Sequence, residues 1–235
     1  MPGSKALVTN FDISSVLSEM WNILTLYEKE ILRREANVVY YRKNKEIYSI
    51  LGQPTHLMCL LEGSVKIYIE GVCGRSQIVR IIRPVQYFGY RAFFAAEAYR
   101  TSAAASEKSL ICLIPMSVVI DLIRGNSNLA LYFLKLLSID LGISDERIVS
   151  LSQKHIRGRL AESLLLLKDI HGMEDDGVTL NVHLAREDLA SLSNMTSPNA
   201  IRTLYNFASE KLITIDGRKI TIINEEQLRR ISRLG

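Results

Sequence analysis

The sequence holds little that would mark an enzyme, a secreted protein or a membrane protein. It has three cysteines, Cys59, Cys73 and Cys112, odd in number and widely spaced. That pattern offers no disulfide framework and no four-cysteine zinc site. Four histidines, His56, His155, His171 and His183, are too scattered to supply a local metal-ligating pair. There is no HExxH, no GxSxG and no glycine-rich phosphate loop. An enzyme is therefore not expected, and no catalytic or metal-binding residue is assigned. No apolar run approaches the roughly 18 residues needed to span a bilayer. Nothing behind Met1-Pro2-Gly3-Ser4-Lys5 has the apolar core of a signal peptide. The expectation is a cytoplasmic protein with no membrane partner.

What is present is ample apolar content, 48% of 235 residues, with 23% charged. That is enough for packed cores and too balanced for disorder. The formal net charge of +4 lies entirely in the N-terminal half. Residues 1–125 carry 15 basic against 11 acidic side chains, whereas residues 156–235 carry 11 of each. Charge alone does not select the C-terminal part as a nucleic-acid binder.

Periodicity divides the chain into three parts. Residues 14–34 read as one helix with an apolar face of Val16, Leu17, Met20, Ile23 and Leu24. From Val38 to Pro115 the pattern becomes strand-like, with Leu57–Leu61, Val65–Ile69 and Ile78–Ile82 between turn formers such as Gly52-Gln53-Pro54, Glu62-Gly63-Ser64 and Arg83-Pro84. Many short strands at this spacing predict a small barrel or jelly roll. From Asn126 to Leu151 a long helix is predicted. In it Leu134, Leu137, Leu141, Ser144, Ile148 and Leu151 alternate spacings of three and four, as in a two-stranded coiled coil. Such a seam implies a homodimer, against the simpler reading of a helix packed on its own domain.

The third part begins near Ile156 with a helix ending at His171-Gly172, then a short strand at Val178-Thr179-Leu180. Next come a helix over Arg186–Leu192, a turn at Ser193-Asn194-Met195 and a second helix over about 197–211. Asn194 suits the left-handed turn, Thr196 or Ser197 can cap the second helix, and Pro198 fits its first turn. Ile213–Ile215 and Ile220–Ile222 flank a central Asp216-Gly217, a hairpin signal. Two helices at a tight turn followed by a hairpin predict a winged helix-turn-helix.

At this point the sequence resembles the Crp/Fnr family of transcription regulators over nearly its whole length. The resemblance is carried by Asp188-Leu189-Ala190 through Leu212-Ile213 with Arg202, by Gly158-Arg159-Leu160-Ala161, by Gly63-Ser64-Val65, and by Phe88-Gly89 with Arg100-Thr101-Ser102. It implies an α+β chain with a cyclic-nucleotide-binding-like β-roll sensor over 1–125, a dimerisation helix and hinge over 126–155, and a DNA-binding winged helix over 156–235. It implies double-stranded DNA with a palindromic site as partner and leaves open a contact with RNA polymerase. The reading residues it implies are Thr196, Ser197, Asn199 and Arg202, with Arg218 and Lys219 on the wing. The alternative is a ligand-binding regulator that acts through proteins rather than DNA.

Two departures matter. Where the family has an arginine–glutamate pair opening the reading helix, this chain has Ser197-Pro198, and Ala185 replaces the usual hydroxyl cap of the preceding helix. In the sensor, Gly89, Tyr90, Arg91, Arg100, Thr101 and Ser102 make up the expected effector pocket. The glutamate needed for a ribose hydroxyl is absent, because Tyr90 and Arg91 follow Gly89. Cyclic AMP is therefore not expected. Arg91 and Arg100 together suit another anion. Alternatively Arg91 faces solvent or pairs with Glu97, and Tyr90, Phe93 and Phe94 fill the pocket. Haem, with His56 or Cys59 as axial ligand, also stays open.

Overall fold

A computed structural model describes residues 6–7, 17–71, 74, 76–182 and 184–234 of the chain. Val16, Cys73, His183 and the Met1–Lys5 segment, which entered the sequence reading, lie outside the described residues. The chain divides into two compact units, one made of residues 1–70 and 79–141, the other of residues 71–78 and 142–235.

The first unit opens with β1 (Ala6–Leu7), then α1 (Ser18–Ile23) and α2 (Leu26–Glu35). The single helix expected over 14–34 is thus two. The chain extends at Leu24, and Thr25 starts a new helix with a capping box. The Thr25 hydroxyl accepts from the Glu28 amide at 3.3 Å, while the Thr25 amide donates to the Glu28 carboxylate at 2.8 Å. This reciprocal satisfaction of two end groups outweighs continuation through Leu24.

The strands follow as β2 (Asn37–Tyr41), β3 (Glu46–Tyr48), β4 (His56–Glu62), β5 (Val65–Glu70), β6 (Ser76–Ile82) and β7 (Tyr87–Phe88). A short α3 (Tyr90–Phe94) precedes β8 (Ser102–Ala105) and β9 (Ser109–Pro115). Two antiparallel sheets result, ordered β1-β2-β9-β4-β7 and β3-β8-β5-β6. Helices α4 (Met116–Gly125) and α5 (Ser127–Gln153) come next, α5 belonging to this unit as far as Leu141.

Strand β4 explains its own sequence. Met58 and Leu60 join Val65, Ile67, Ala103 and Ala105 in the core between the sheets. Leu57, Cys59 and Leu61 join a second core with Leu17 and Leu24, which flank α1, and with Leu32, Val119, Leu129 and Phe133 from the other helices. Both faces are covered, so the strand reads as an unbroken apolar run and not as an alternation. Between β4 and β5, Gly63 turns at φ +88°, and a Cβ there would lie 2.3 Å from the Lys108 carbonyl oxygen.

The second unit takes α5 from Gly142 and adds α6 (Ile156–His171), α7 (Arg186–Leu192), α8 (Ser197–Ser209), β10 (Ile213–Asp216), β11 (Lys219–Ile222) and α9 (Glu225–Leu234). The strand expected at Val178–Leu180 is reduced to single bridges, Met173 to Leu180 and Thr179 to Thr221. The β10–β11 pairing sets Asp216 against Lys219, so the turn is Gly217-Arg218, one residue later than the Asp216-Gly217 expected. Helix α9 was not expected. Asn224 caps it by accepting from the Gln227 amide at 2.9 Å, Glu225 and Glu226 lie in its first turn, and Leu228 is fully buried. No described helix is long and apolar enough to cross a membrane.

Candidate nucleic-acid interface and effector cassette

The turn between α7 and α8 is built around Arg159 of α6. Its guanidinium donates to the carbonyls of Ser193 (3.1 Å) and Asn194 (3.3 Å) in the turn, and of Leu151 (3.2 Å) and Lys154 (3.4 Å) at the end of α5. Cationic donors suit the electron-rich carbonyls that helix ends leave unpaired. Asn194 takes the expected left-handed conformation, φ 49°. The Ser193 hydroxyl donates to the Leu189 carbonyl at 2.9 Å and shares a hydrogen bond with the Ser163 hydroxyl at 2.8 Å. Ala185 precedes α7 without any side-chain cap, as its side chain dictates.

Helix α8 is capped by Thr196, whose hydroxyl accepts from the Asn199 amide at 3.4 Å. Ala200, Thr203, Leu204 and Phe207 are buried. The opposite face exposes Pro198, Ile201, Arg202, Tyr205 and Asn206. Thr196 is also exposed, whereas Ser197 and Asn199 are half-buried. Asn199 and Arg202 are brought together, the guanidinium donating to the amide oxygen at 3.0 Å. On the wing, Arg218 is exposed at the hairpin turn. Lys219 is drawn aside by Glu174, 2.9 Å away, which raises its pKa. Arg186 donates to the Gly217 carbonyl at 2.6 Å and ties the wing to α7. The sequence reading named neither Ile201 nor Tyr205. Their exposed positions on an amphipathic helix with a buried face at 200, 203, 204 and 207 were a signal that could have found them.

In the first unit, Gly89 turns at φ +85° and starts α3. This left-handed φ favours glycine, and a Cβ there would also lie 3.3 Å from the His56 carbonyl oxygen. Arg91 and Arg100 do converge, and on a carboxylate of the chain itself. Each lies 2.7 Å from one oxygen of Glu97. Arg91 first, then Arg100, hold the Glu97 carboxyl below the usual carboxylate range. The Thr101 hydroxyl is 3.3 Å from Tyr48 Oη, and the Ser102 hydroxyl accepts from the Ile50 amide at 3.0 Å. Tyr48 stacks on Tyr99 with ring centres 3.9 Å apart, beside Phe88.

Tyr90 and Phe94 turn away from these hydroxyls and pack on Phe133 of α5, 5.6 and 5.7 Å between centres. Tyr90 Oη donates to Asp140, which also pairs with Arg80 at 2.5 Å. Burial and the Asp140 charge push the Tyr90 phenol up. His56 Nδ1 lies 2.8 Å from the Thr55 hydroxyl, and Cys59 is fully buried in register with Cys112 of β9. No group of three or more potential metal ligands occurs among the described residues.

Along α5, Leu134, Leu141 and Ile148 are 59%, 64% and 63% exposed, and Ser144 is also exposed. Leu137 is half-buried against the helix-side core of the first unit. Leu151 is half-buried and lines a cavity of about 200 Å³ in the second unit.

Residues 38–126 match the family model of the cyclic nucleotide-binding domain, and residues 158–231 that of the Crp-like helix-turn-helix domain. The chain is 24% identical over 188 residues to the fumarate and nitrate reduction regulatory protein of Vibrio cholerae, covering 80% of this chain and 75% of that one. It is equally similar, 24% over 184 residues, to the CRP-like cAMP-activated global transcriptional regulator of Mycobacterium tuberculosis, covering 77% of this chain and 82% of that one. Among solved structures, FixK2 from Bradyrhizobium japonicum superposes with a TM-score of 0.75 at 20% identity, covering 83% of this chain and 96% of that one. A CRP-family regulator from Thermus thermophilus gives 0.70 at 21% identity, covering 83% and 96%. The chain belongs to the Crp/Fnr family, whose members are DNA-binding transcription regulators and not enzymes.

Proposed function

We propose that this chain works in the cytoplasm as a homodimer, reads a palindromic DNA site through α8, and does so without cyclic AMP. Residues 1–125 form the sensor, 126–155 the dimer helix and hinge, and 156–235 the reader. The observation that carries the reading is the exposed face of α8, where Arg202 stands beside the helix N-terminus, its guanidinium supported by Asn199. Arginine can bind guanine through two parallel hydrogen bonds, worth about 1–3 kcal/mol of discrimination. Thr196, Ser197 and the first amides of α8 would take phosphate oxygens. Arg218, and Lys219 once it leaves Glu174, would steady the backbone from the wing.

The seam is Leu134, Leu141 and Ile148 with Ser144, flanked by the half-buried Leu137 and Leu151. Two readers related by its twofold axis would meet half-sites about 34 Å apart. The cassette does not fit a cyclic nucleotide. No carboxylate follows Gly89 for a ribose hydroxyl, and Arg100, the arginine a cyclic phosphate would need, is already paired with Glu97. Any other anionic effector must displace Glu97 first. Haem finds weak support, with His56 beside Thr55 and Cys59 sealed in the core.

The test is selection from random duplex DNA by the purified, effector-free chain, with Arg202→Ala as control. A palindrome recovered by the first and lost by the second is the expected result. No recovered site overturns effector-free reading. Activation would involve RNA polymerase, which transcription from a template carrying that palindrome would reveal.

A further inference from the structure

The exposed face of α8 has two chemically different edges. At 100° per residue, Asn199, Arg202 and Asn206 run along one edge, and Pro198, Ile201 and Tyr205 along the other. Ile201 is 38% exposed and Tyr205 65%, one turn apart on the same side. Single exposed apolar residues are ordinary on a protein surface. Here they occupy the helix that faces base edges in this motif, in its second and third turns. The polar edge is partly committed. The Asn199 amide oxygen accepts from Arg202, which occupies one of its two lone pairs and holds the amide in one orientation. On the apolar edge, Pro198 offers no acceptor for the cytosine amino group. The one apolar feature that a base pair displays in the major groove is the thymine C5-methyl.

We propose that α8 reads thymine through its C5-methyl group, with Ile201 as the contacting side chain and the Tyr205 ring widening the apolar strip, beside the guanine contact of Arg202. The inference rests on α8 being the DNA reader. It predicts a half-site in which thymine is required for its methyl and not for its hydrogen-bonding edge. Apolar contact excludes water from that methyl without fixing a donor or acceptor, which is how isoleucine can carry sequence information.

The test uses the full chain and the site it selects. Each thymine is replaced in turn by deoxyuridine, which removes the methyl and leaves the pairing edge unchanged, and affinity is read by fluorescence anisotropy at fixed salt. One position per half-site is expected to lose about fourfold, and about 15-fold when both half-sites are changed, from the value of one buried methyl-sized group. In Ile201→Ala, an exposed substitution whose folding is checked by circular dichroism, thymine and deoxyuridine should bind alike at that position. Equal binding of thymine and deoxyuridine by the unaltered chain overturns methyl reading and leaves α8 as reader. A deoxyuridine penalty undiminished in Ile201→Ala removes Ile201 from the contact and overturns the assignment. Failure to select any site overturns effector-free reading and the inference that rests on it.

Discussion

Replacing Arg159 should cost far more stability than replacing its neighbour Arg157 on the same helix, and the contrast can be worked from their partners. Arg159 serves four backbone carbonyls, two ending α5 and two in the turn before α8, at 3.1 to 3.4 Å. A hydrogen bond to a charged group contributes about 1.5–3 kcal/mol, but these four are long and share one side chain, so they do not add. About 3 kcal/mol is expected for Arg159→Ala, and about 2 kcal/mol for Arg159→Lys, whose ammonium can serve one helix end and not both. Arg157 pairs with Glu210 through two contacts of 2.7 and 2.8 Å at a partly exposed site and lies 4.9 Å from the Phe207 ring. Screening limits such a pair, and Arg157→Ala should cost about 1 kcal/mol. The assay is urea unfolding followed by circular dichroism, with the fluorescence of Trp21, the single tryptophan, reporting the first unit. The reasoning fails if Arg159→Ala lies within about 0.5 kcal/mol of the parent chain, the range of an ordinary surface change.

Three further outcomes follow from the geometry. Glu97, held low by Arg91 and Arg100, should titrate below the free value of about 4.3. Its ion pairs therefore contribute at neutral pH and are lost as pH falls through the folded-state value; a carboxyl-carbon NMR titration at or above 4.3 would refute the pairing. Cys59 and Cys112 are buried in one core, and burial pushes both thiols up, Cys112 to about 12. In a Cys73→Ser chain, Ellman's reagent at pH 8 should find no fast thiol, and a stoichiometric fast reaction would contradict that core. Lysine at both Leu134 and Leu141 should give a monomer in analytical ultracentrifugation without loss of helix, since both side chains are more than half exposed. An unchanged dimer would sink the seam. Leu137 is the poorer probe, because it also packs on the first unit.

How far the fold could be read from sequence depended on whether a segment's signals were local. The bounds of α7 were legible to the residue, because Glu187 and Asp188 mark its first turn and Asn194 marks the left-handed turn after it. The division of residues 14–34 was not. Leu24 fits the apolar period, which masks the helix start that Thr25-Leu26-Tyr27-Glu28 spells out, and the box, joined by Asn126 at 3.0 Å from Glu28, decides the break. Helix α9 was missed although Asn224, the acidic first turn and the basic residues after it are an ordinary helix-start pattern. Its apolar content is slight, so its apolar period is faint beside its polar start signal. In the cassette, sequence left two fates for Arg91 open. Glu97 decides between them because it lies three positions before Arg100 and a turn of α3 brings Arg91 to its other oxygen. The rings beside Thr101 could not be foreseen, since Tyr48 reaches Tyr99 only through the pairing of β3 with β8.

The balanced charge of residues 156–235 is then a prediction about salt. Their 11 basic side chains are not 11 phosphate anchors. Arg159 is engaged with carbonyls, Arg157 with Glu210, Lys168 and Arg229 with Glu225, Arg186 with the Gly217 carbonyl, and Lys219 with Glu174. Arg202 faces a base in the proposed reading. Lys211 follows the end of α8, and Arg230 and Arg233 lie on α9, outside the reading helix and the wing. On the wing, Arg218 has no such partner among the described residues, and Lys219 joins it only by leaving Glu174. A dimer would thus neutralise about four phosphates, and log affinity should fall against log salt with a slope of about −4. The α8 N-termini add attraction but displace no side-chain counterion pair of their own. Measurement is direct, by anisotropy between 50 and 200 mM salt on the selected site, roughly the range over which such slopes are read. A slope steeper than about −7 would mean that the carboxylate partners release their cations on binding, and that the ion pairs of the free chain do not describe the bound one.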